Sequence, residues 1–270
     1  MHYLTDPFIA HILIFIYPDT APRQRGVRPA YPYRFTPMRA AFLLLWLPVL
    51  LSCTLPADST FRLEQQRYPR VRAAYAARWP ALQAELRRRH LDADRLELYL
   101  RAFKIGRRVE VWARNHGQGR YQLLRRYHLA GTSGTLGPKL KSGDGQIPEG
   151  CYRVDRYNPS SLYHLSLGLD YPNAHDRARG EQDPGGDIFI HGSNVTIGCL
   201  PITNDCVEEL YVLAVEARAA GQDTLPVHIF PFELNPTDLA AHWSSPHHAF
   251  WATLAPTYQY FEQHHTLPAR

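Results

Sequence analysis

The sequence predicts an α+β fold, in which a mostly β domain follows a helical segment and precedes a helical tail. Residues 61–94 place apolar side chains three, four and seven positions apart between charged ones, as on one face of a helix. Residues 95–231 contain short segments that alternate apolar and polar side chains, as strands with one buried face do. Residues 232–270 return to the helical spacing of large apolar side chains. A chain of 270 residues is long enough to bury such a core.

The helical segment and the first strands follow from local patterns. Pro69 and Pro80 each remove a backbone N–H, so two or three short helices are predicted before residue 94. An antiparallel meander follows, and further strands come after the glycine-rich loop 131–150. The predicted strand segments are LELYLRAFK, VEVWAR and YQLLRRYHLA before this loop, and CYRVDRY, LYHLSLGL and the buried DIFIHG after it.

The remaining elements are predicted from caps and turn residues. The polar, turn-rich stretch 173–186 is a candidate lid. Thr203 and Asn204 can cap a helix over 205–220. A last strand is predicted over 226–230, before the helical tail.

The charge pattern excludes one class of partner. The formal net charge is +5, from 30 Lys and Arg against 25 Asp and Glu. Basic and acidic residues are interleaved along the chain, whereas a nucleic-acid surface gathers basic residues on one face. No nucleic-acid partner is therefore expected.

Residues 38–52 have the pattern of a bacterial lipoprotein signal peptide. Met38 is followed by one arginine and an apolar run that is too short to span a bilayer. The run ends at Leu-Leu-Ser-Cys, which resembles a lipobox and predicts lipidation of Cys53. Thr54 stands where an Asp would favour retention in the inner membrane. The expected location is the periplasm, with a lipid anchor in the outer membrane.

The residues around this signal peptide have simpler interpretations. Residues 1–37 are interpreted as an upstream extension from a wrongly assigned start codon, with one long cytoplasmic leader as the alternative. Residues 53–60 are interpreted as a polar tether. If Cys53 is lipidated, three cysteines remain, so at least one of them cannot be in a disulfide within this chain. Cys151 and Cys206 can then be bridged, leaving Cys199 reduced, or all three can be thiols.

One segment, DIFIHGSNVTIGCLPIT, contains the groups that cysteine acyl transfer needs. Cys199 follows His191 by eight residues, which provides a thiol and a base. Gly192 and Gly198 leave room for a substrate carbonyl and expose backbone N–H groups. One His and one Cys are weak evidence alone, since a buried core pair has the same pattern. A zinc site is disfavoured, because paired ligands at zinc spacing are absent from the sequence.

The wider sequence strengthens this interpretation. The segments YLRAFK, VEVWAR, GPK, GDGQIPEG, YHLSLGLDYPN, DPGGDIFIHG and VEELYVLAVEA, together with HG…GC, resemble the L,D-transpeptidase catalytic domain, also called the YkuD-type domain. They are most similar to a branch that includes a murein amidase-like enzyme of the Gram-negative periplasm. The resemblance covers residues 95–231 and implies a mostly β catalytic domain. It implies no cofactor and no metal.

The resemblance implies roles for residues of this chain. Cys199 would attack the amide after the L-centre of meso-diaminopimelate in a peptidoglycan stem peptide, with His191 as general base. Backbone N–H groups near Gly198 and Cys199 would bind the oxyanion, supported by Gly192, Ser193 and Thr196. An activated Cys199 would alkylate rapidly at neutral pH.

Two departures from the family motif bear on the second half of the reaction. Ile197 replaces the usual His, Pro201 replaces the usual Asn or Arg, and four residues separate His191 from Thr196. The acyl-enzyme can be resolved by an amine, as in a transpeptidase. It can also be resolved by water, as in an amidase that releases outer-membrane lipoprotein from peptidoglycan. A third possibility is a noncatalytic lipoprotein that binds peptidoglycan through a decayed domain.

Further residues are weaker candidates for the cleft. Lys139, Asp144 and Tyr171 lie in family-like stretches or loops and are interpreted as substrate-lining. Asn194, near His191, can line the cleft as well. Tyr163 is assigned to the core.

Overall fold

One mixed sheet of eight strands organises the part of the chain that the structure describes. The structure is a computed structural model, and it describes residues 57–180 and 182–268. The strands are β1 (Leu96–Phe103), β2 (Arg108–Asn115), β3 (Gln122–His128), β4 (Gly150–Asn158), β5 (Ser166–Leu169), β6 (Phe189–His191), β7 (Leu200–Pro201) and β8 (Leu225–Phe230). The helices are α1 (Ala57–Gln65), α2 (Pro69–Arg88), α3 (Ala174–Arg179), α4 (Asn204–Ala219), α5 (Pro236–Ala241) and α6 (His248–His264), with a 3-10 turn at Ala93–Arg95. The predicted α+β class is confirmed.

The strand order is β3-β2-β1-β8-β4-β5-β6-β7. The prediction of an antiparallel meander holds for β1, β2 and β3. It does not extend to β8, which inserts between β1 and β4 and runs parallel to β1, with Leu100 opposite Val227. The short strand β7 also pairs in parallel, with β6. Both parallel pairs need crossover connections, so local patterns along the chain do not reveal them.

Helices pack against the sheet in three buried clusters, the third of which joins Phe261 of α6 to Tyr99 and Trp112. Helix α4 packs against α1 and α2, and most of its residues from Val207 to Ala217 are buried in the main core. A second cluster joins Trp251 of α6 to Phe103 and Phe230 at the ends of β1 and β8. The helical segment and the tail therefore both bury apolar faces against the sheet domain.

Two sequence predictions about the helical segment need revision. Helix α1 begins at Ala57, inside the stretch 53–60 that was interpreted as a tether. Pro69 does separate two helices, but α2 continues through Pro80 to Arg88. Pro80 is exposed, while buried residues on both sides of it, including Tyr75 and Leu82, pack in the core. Tertiary packing thus outweighs the lost hydrogen bond at the proline.

The candidate lid contains a short helix that was not predicted. Asn173 caps α3 by accepting hydrogen bonds from the backbone of His175 and Asp176, and the Asp176 carboxylate accepts one from the Asn173 N–H. This reciprocal capping orders the start of the stretch 173–186.

The signal peptide 38–52, the upstream segment 1–37 and Cys53 lie outside the described residues. Within the ranges that are described, every helix is too short or too polar to cross a bilayer. No disulfide joins Cys151 to Cys206, both of which belong to those ranges.

Candidate active site

His191 and Cys199 both lie at the β6–β7 edge of the sheet. His191 is the last residue of β6, and Cys199 directly precedes β7. The two strands pair in parallel, with Ile190 opposite Leu200 and His191 opposite Pro201. Because side chains alternate between the faces of a sheet, this register points His191 and Cys199 to the same side. Both line one cleft of about 440 Å³.

His191 is held in one orientation by its own backbone. Its Nδ1 atom lies 2.5 Å from the carbonyl oxygen of Gly192. A carbonyl only accepts hydrogen bonds, so Nδ1 carries the proton and Nε2 keeps its lone pair. The ring is 2% exposed and lies against the ring of Tyr163, with centroids 4.6 Å apart. Burial lowers the pKa of His191 below its ordinary value, which keeps the imidazole neutral.

Cys199 is partly buried beside the start of β6. Its Sγ atom lies 3.5 Å from the carbonyl oxygen of Asp187. Burial raises the pKa of the Cys199 thiol, and the charge of Asp187 adds to this, against the opposing effects of the Phe189 backbone and Lys139. The resting site therefore holds a thiol and a neutral imidazole. Rapid alkylation at neutral pH, which the sequence predicts, requires a thiolate. A protonated Cys199 should instead be alkylated slowly at neutral pH.

Gly198 and Thr196 shape the backbone just before the thiol. Gly198 has φ of +142°, and an added Cβ would lie 3.0 Å from the carbonyl oxygen of Gln146, so glycine is needed here. The Thr196 hydroxyl accepts a hydrogen bond from the Gly198 N–H at 3.1 Å and donates one to the Cys199 carbonyl at 2.8 Å. The Gly198 N–H, which was expected to bind an oxyanion, is engaged by Thr196 in this state.

The turn after His191 is held from α4. An added Cβ on Gly192 would lie 2.5 Å from Oδ1 of Asn204. The same oxygen accepts a hydrogen bond from the N–H of Ser193, which has φ of +67°. Ser193 and Asn194 line a separate shallow depression with Thr203, instead of the cleft that contains the thiol. Ser193 supports the turn, and the structure places Asn194 at this depression and outside the cleft lining.

Lys139, Asp144 and Tyr171 do not line the cleft either. Lys139 and Asp144 form an ion pair of 2.6 Å with side chains 5% and 12% exposed. The Tyr171 hydroxyl donates to the backbone carbonyl of Pro184 at 2.9 Å. These residues build the loop whose Gln146 carbonyl faces Gly198. Their hydrogen bonds are made inside the loop, so the structure places these residues outside the cleft lining, although the charge of Lys139 still acts on the Cys199 thiol.

The cleft has an apolar rim that the sequence did not reveal. Leu162 and Ile197 are 98% and 87% exposed, and Val195 and Tyr163 are also exposed. All four line the cleft, together with Asn158, Ser161, Ser166, Asp187 and Phe189. Four of the nine exposed large apolar residues in the described ranges thus gather around this one thiol, and such clustering marks an interaction site.

Tyr163 was assigned to the core, but it forms a wall of the cleft. The residue after it, His164, has φ of +75°, which turns the chain between β4 and β5. Its left-handed conformation gives no signal in a pattern of alternating residues.

Over the described ranges no three His, Cys, Asp or Glu side chains lie together as metal ligands.

Comparisons with known proteins place this geometry in context. No protein-family model matches the chain. YafK of Escherichia coli K12, named as a candidate L,D-transpeptidase, is 38% identical over 168 residues, which are 62% of this chain and 67% of YafK. Among solved structures, the helical cell shape determining protein Pgp2 of Campylobacter jejuni aligns with a TM-score of 0.41 and 23% identity, over 52% of this chain. Bd1075 of Bdellovibrio bacteriovorus aligns with a TM-score of 0.36 and 21% identity, over 62% of this chain. The aligned part spans 49% of Pgp2 and 57% of Bd1075.

Proposed function

The chain belongs to the L,D-transpeptidase family, and from this premise we propose that it is a cysteine acyl transferase of the bacterial cell wall. Its substrate is a peptidoglycan stem peptide, cleaved at the amide that follows the L-centre of meso-diaminopimelate. Cys199 is the nucleophile and His191 the general base. No cofactor is needed for this chemistry.

One observation carries the proposal. Cys199 and His191 line the same cleft, and the bond from Nδ1 of His191 to the Gly192 carbonyl leaves the Nε2 lone pair to take a proton. A base fixed in one tautomer in the same cleft as a thiol is the pair that acyl transfer to cysteine requires. The buried, neutral state of His191 keeps it in the form that accepts the proton.

The acylation step follows from these roles. The Cys199 thiol gives its proton to Nε2 of His191, and Sγ forms a bond to the amide carbon. The tetrahedral intermediate collapses by breaking the carbon–nitrogen bond. The leaving amine takes the proton from Nε2, which leaves a thioester on Cys199 and a neutral His191.

The oxyanion of this intermediate needs hydrogen-bond donors. We assign the backbone N–H of Cys199 as one donor, because it lies next to the thiol and outside the β6–β7 ladder, whose pairing begins at Leu200. Gly198 supplies a second donor if its N–H exchanges the Thr196 hydroxyl for the substrate oxygen.

Hydrolysis of the thioester is a second candidate function, favoured by the cleft lining. An amine from another stem peptide is positively charged in solution. A cleft that binds this amine is therefore expected to offer a free carboxylate. Asp187 is the one carboxylate residue among the described cleft-lining residues, and it is 82% exposed and paired with Arg156 at 3.0 Å. Water needs no counter-charge. The hydrolytic product would be a free stem peptide, and an outer-membrane lipoprotein joined to diaminopimelate would be released.

We also propose that the protein works in the periplasm, attached to the outer membrane through a lipid on Cys53. The support is the sequence of residues 38–53, which resembles a lipoprotein signal. A Cys53→Ala variant should lose its lipid and move from the membrane fraction to the soluble periplasmic fraction. Unchanged maturation and fractionation of this variant would overturn the anchor and leave the proposed chemistry untouched.

The proposed reaction is tested on sacculi that carry covalently bound lipoprotein. Wild-type protein should produce either crosslinked muropeptide dimers or free stem peptides with released lipoprotein, and the muropeptide profile separates the two. Cys199→Ala and His191→Ala should abolish both products. Cys206→Ala is the matched control, since this thiol lies on α4 outside the cleft. If wild type and Cys199→Ala give the same profile, the proposed catalytic role fails, and noncatalytic binding of peptidoglycan becomes the favoured account.

A further inference from the structure

Helix α2 reaches the edge of the active-site cleft through one arginine. Arg70 stands in the first turn of α2, directly after Pro69. Its Nη1 atom donates to the carbonyl of Ser161 at 2.8 Å and also to the carbonyl of His164. These two carbonyls bracket Leu162 and Tyr163, two residues of the apolar rim.

The bracketed loop places an aromatic ring on the general base. The Tyr163 ring lies 4.6 Å from the His191 ring, centroid to centroid, at an angle of 33°. Inside the loop, the Tyr163 N–H donates to the Ser161 hydroxyl at 3.1 Å. The ring therefore covers His191 on the cleft side only while the backbone between Ser161 and His164 keeps this shape.

A second connection joins the same loop to the same helix. Nε2 of His164 lies 2.7 Å from Oε1 of Glu208 on α4. The other oxygen of Glu208 accepts a hydrogen bond from Nε of Arg78 on α2 at 2.8 Å. Two arginines of α2 thus hold the loop, one directly and one through Glu208.

We propose that Arg70 is a positioning residue for the active site, which holds the Ser161 and His164 carbonyls so that the Tyr163 ring stays on His191. This rests on the proposed function, which makes His191 the base. A guanidinium presents several N–H groups in a fixed plane and can serve two carbonyls at once, whereas a lysine ammonium is a mobile point charge. The helical segment before the sheet is then part of the catalytic apparatus.

Loss of Arg70 should release the loop and admit water to His191. The burial that lowers the pKa of His191 would be reduced, so this pKa should rise toward its ordinary value of 6.5. A base that is less well placed relative to the thiol should also transfer protons more slowly. Both effects act through Tyr163.

The test compares Arg70→Ala, Arg70→Lys and Arg72→Ala with wild type. Arg72 is the matched control, because it lies on the same helix and also donates to two carbonyls, those of Gln66 and Arg67, away from the cleft. The first readout is the pKa of His191, measured by NMR on isotopically labelled histidine without substrate. This readout stands whether or not the protein turns over peptidoglycan, so it separates a failure of this inference from a failure of the proposed function.

We expect the pKa of His191 to rise in Arg70→Ala, to rise less in Arg70→Lys and to stay unchanged in Arg72→Ala. The exposed residue Tyr163 gives a second, fold-independent variant, and Tyr163→Leu should shift the pKa in the same direction as Arg70→Ala. The double variant should show no further shift, because both changes remove the same ring. On substrate, Arg70→Ala should lower kcat about ten- to hundredfold with little change in KM. An unchanged His191 pKa in Arg70→Ala, or additive shifts in the double variant, would overturn the inference.

Discussion

Thr196 and Cys199 are joined by a hydrogen bond of 2.8 Å, which runs from the Thr196 hydroxyl to the Cys199 carbonyl oxygen. The same hydroxyl accepts the Gly198 N–H. One side chain therefore fixes both peptide groups that flank the Gly198–Cys199 bond, where the proposed oxyanion site lies.

Replacing Thr196 tests this arrangement. Thr196→Val keeps the shape of the side chain and removes both hydrogen bonds, so the backbone around the thiol should lose its fixed geometry. We expect kcat to fall about tenfold, since small displacements of reacting groups are costly. Thr196→Ser keeps the hydroxyl and should retain most of the activity. Equal activity of the valine and serine variants would show that the hydroxyl has no role in turnover.

The pH dependence follows from a lowered pKa of His191 and a raised pKa of Cys199. Burial acts in both cases, because it disfavours the charged form of each group. The neutral base and the neutral thiol therefore coexist from below pH 6.5 to above pH 9.0. We expect kcat/KM to be flat over this window, to fall below it as His191 is protonated, and to fall above it as the pair loses its proton.

Alkylation of Cys199 gives an independent test of the resting state. A protonated thiol should react with iodoacetamide more slowly at pH 7 than a free cysteine, and the rate should still be rising above pH 9.0. The rate is followed by mass spectrometry of the peptide that contains Cys199. A fast rate that is constant from pH 5 upward would indicate a thiolate–imidazolium pair instead.

The loop centred on Asp144 should act on turnover through structure. Burial raises the pKa of Asp144, but the Lys139 ion pair and bonds from the backbone of Gln146, Leu140 and Lys141 outweigh it and lower the pKa. Asp144→Ala leaves these donors unsatisfied and should destabilise the protein by about 1–3 kcal/mol. It should lower kcat with little effect on KM, because the loop faces Gly198 and not the cleft. A change confined to KM would restore Asp144 as a substrate-lining residue.

A buried ion pair between the paired strands β1 and β2 should contribute strongly to stability. Arg101 and Glu110 lie 2.7 Å apart, with side chains 4% and 3% exposed. Arg101→Ala removes the most buried cation on this carboxylate, leaving Arg108 and Trp112 as partners, and should cost about 3 kcal/mol of unfolding free energy. Arg126→Ala is the control, since this guanidinium is 58% exposed on the same carboxylate and should cost no more than about 1 kcal/mol. Denaturant unfolding of both variants measures the difference, and equal costs would contradict the assignment.

Glu110 also links stability to pH. Burial raises its pKa, but Arg101 and bonds from Trp112 and Arg108 outweigh burial and lower the pKa to about 2. A lowered folded-state pKa gives stability that is present above the ordinary value of 4.5 and is lost as the pH falls toward about 2. Acid unfolding between these values should therefore be shallower in Glu110→Gln than in wild type.

Local patterns were sufficient to predict much of this fold. Strand β1 and helix α4 lie where alternation and the Thr203 cap placed them, because these signals depend only on neighbouring residues. The parallel partner of β1 is β8, more than a hundred residues later, and no local pattern carries that pairing. At Pro80 the local signal is misleading. A proline predicts a break in the helix, but α2 continues through it because the helix packs against the core.

The site divides in a similar way. His191 and Cys199 lie close in sequence, so the segment that holds them could be identified directly, and the resemblance to a known family supported it. Tyr163, in contrast, reaches His191 only through the left-handed turn at His164. Lys139 and Asp144 had the composition of a binding loop, but they bind each other. A charged side chain gives no sign in the sequence of whether its partner is substrate or protein.

The central claim is that Cys199 forms a thioester with the stem peptide, and intact-protein mass spectrometry tests it most directly. Wild-type protein mixed with a diaminopimelate-containing muropeptide and quenched in acid should gain the mass of the acyl fragment, on the peptide that contains Cys199. Hydroxylamine should remove this mass, and Cys206→Ala should gain it as wild type does. A protein that turns over the substrate with no adduct on Cys199, or a Cys199→Ala variant that still turns over, would contradict the account.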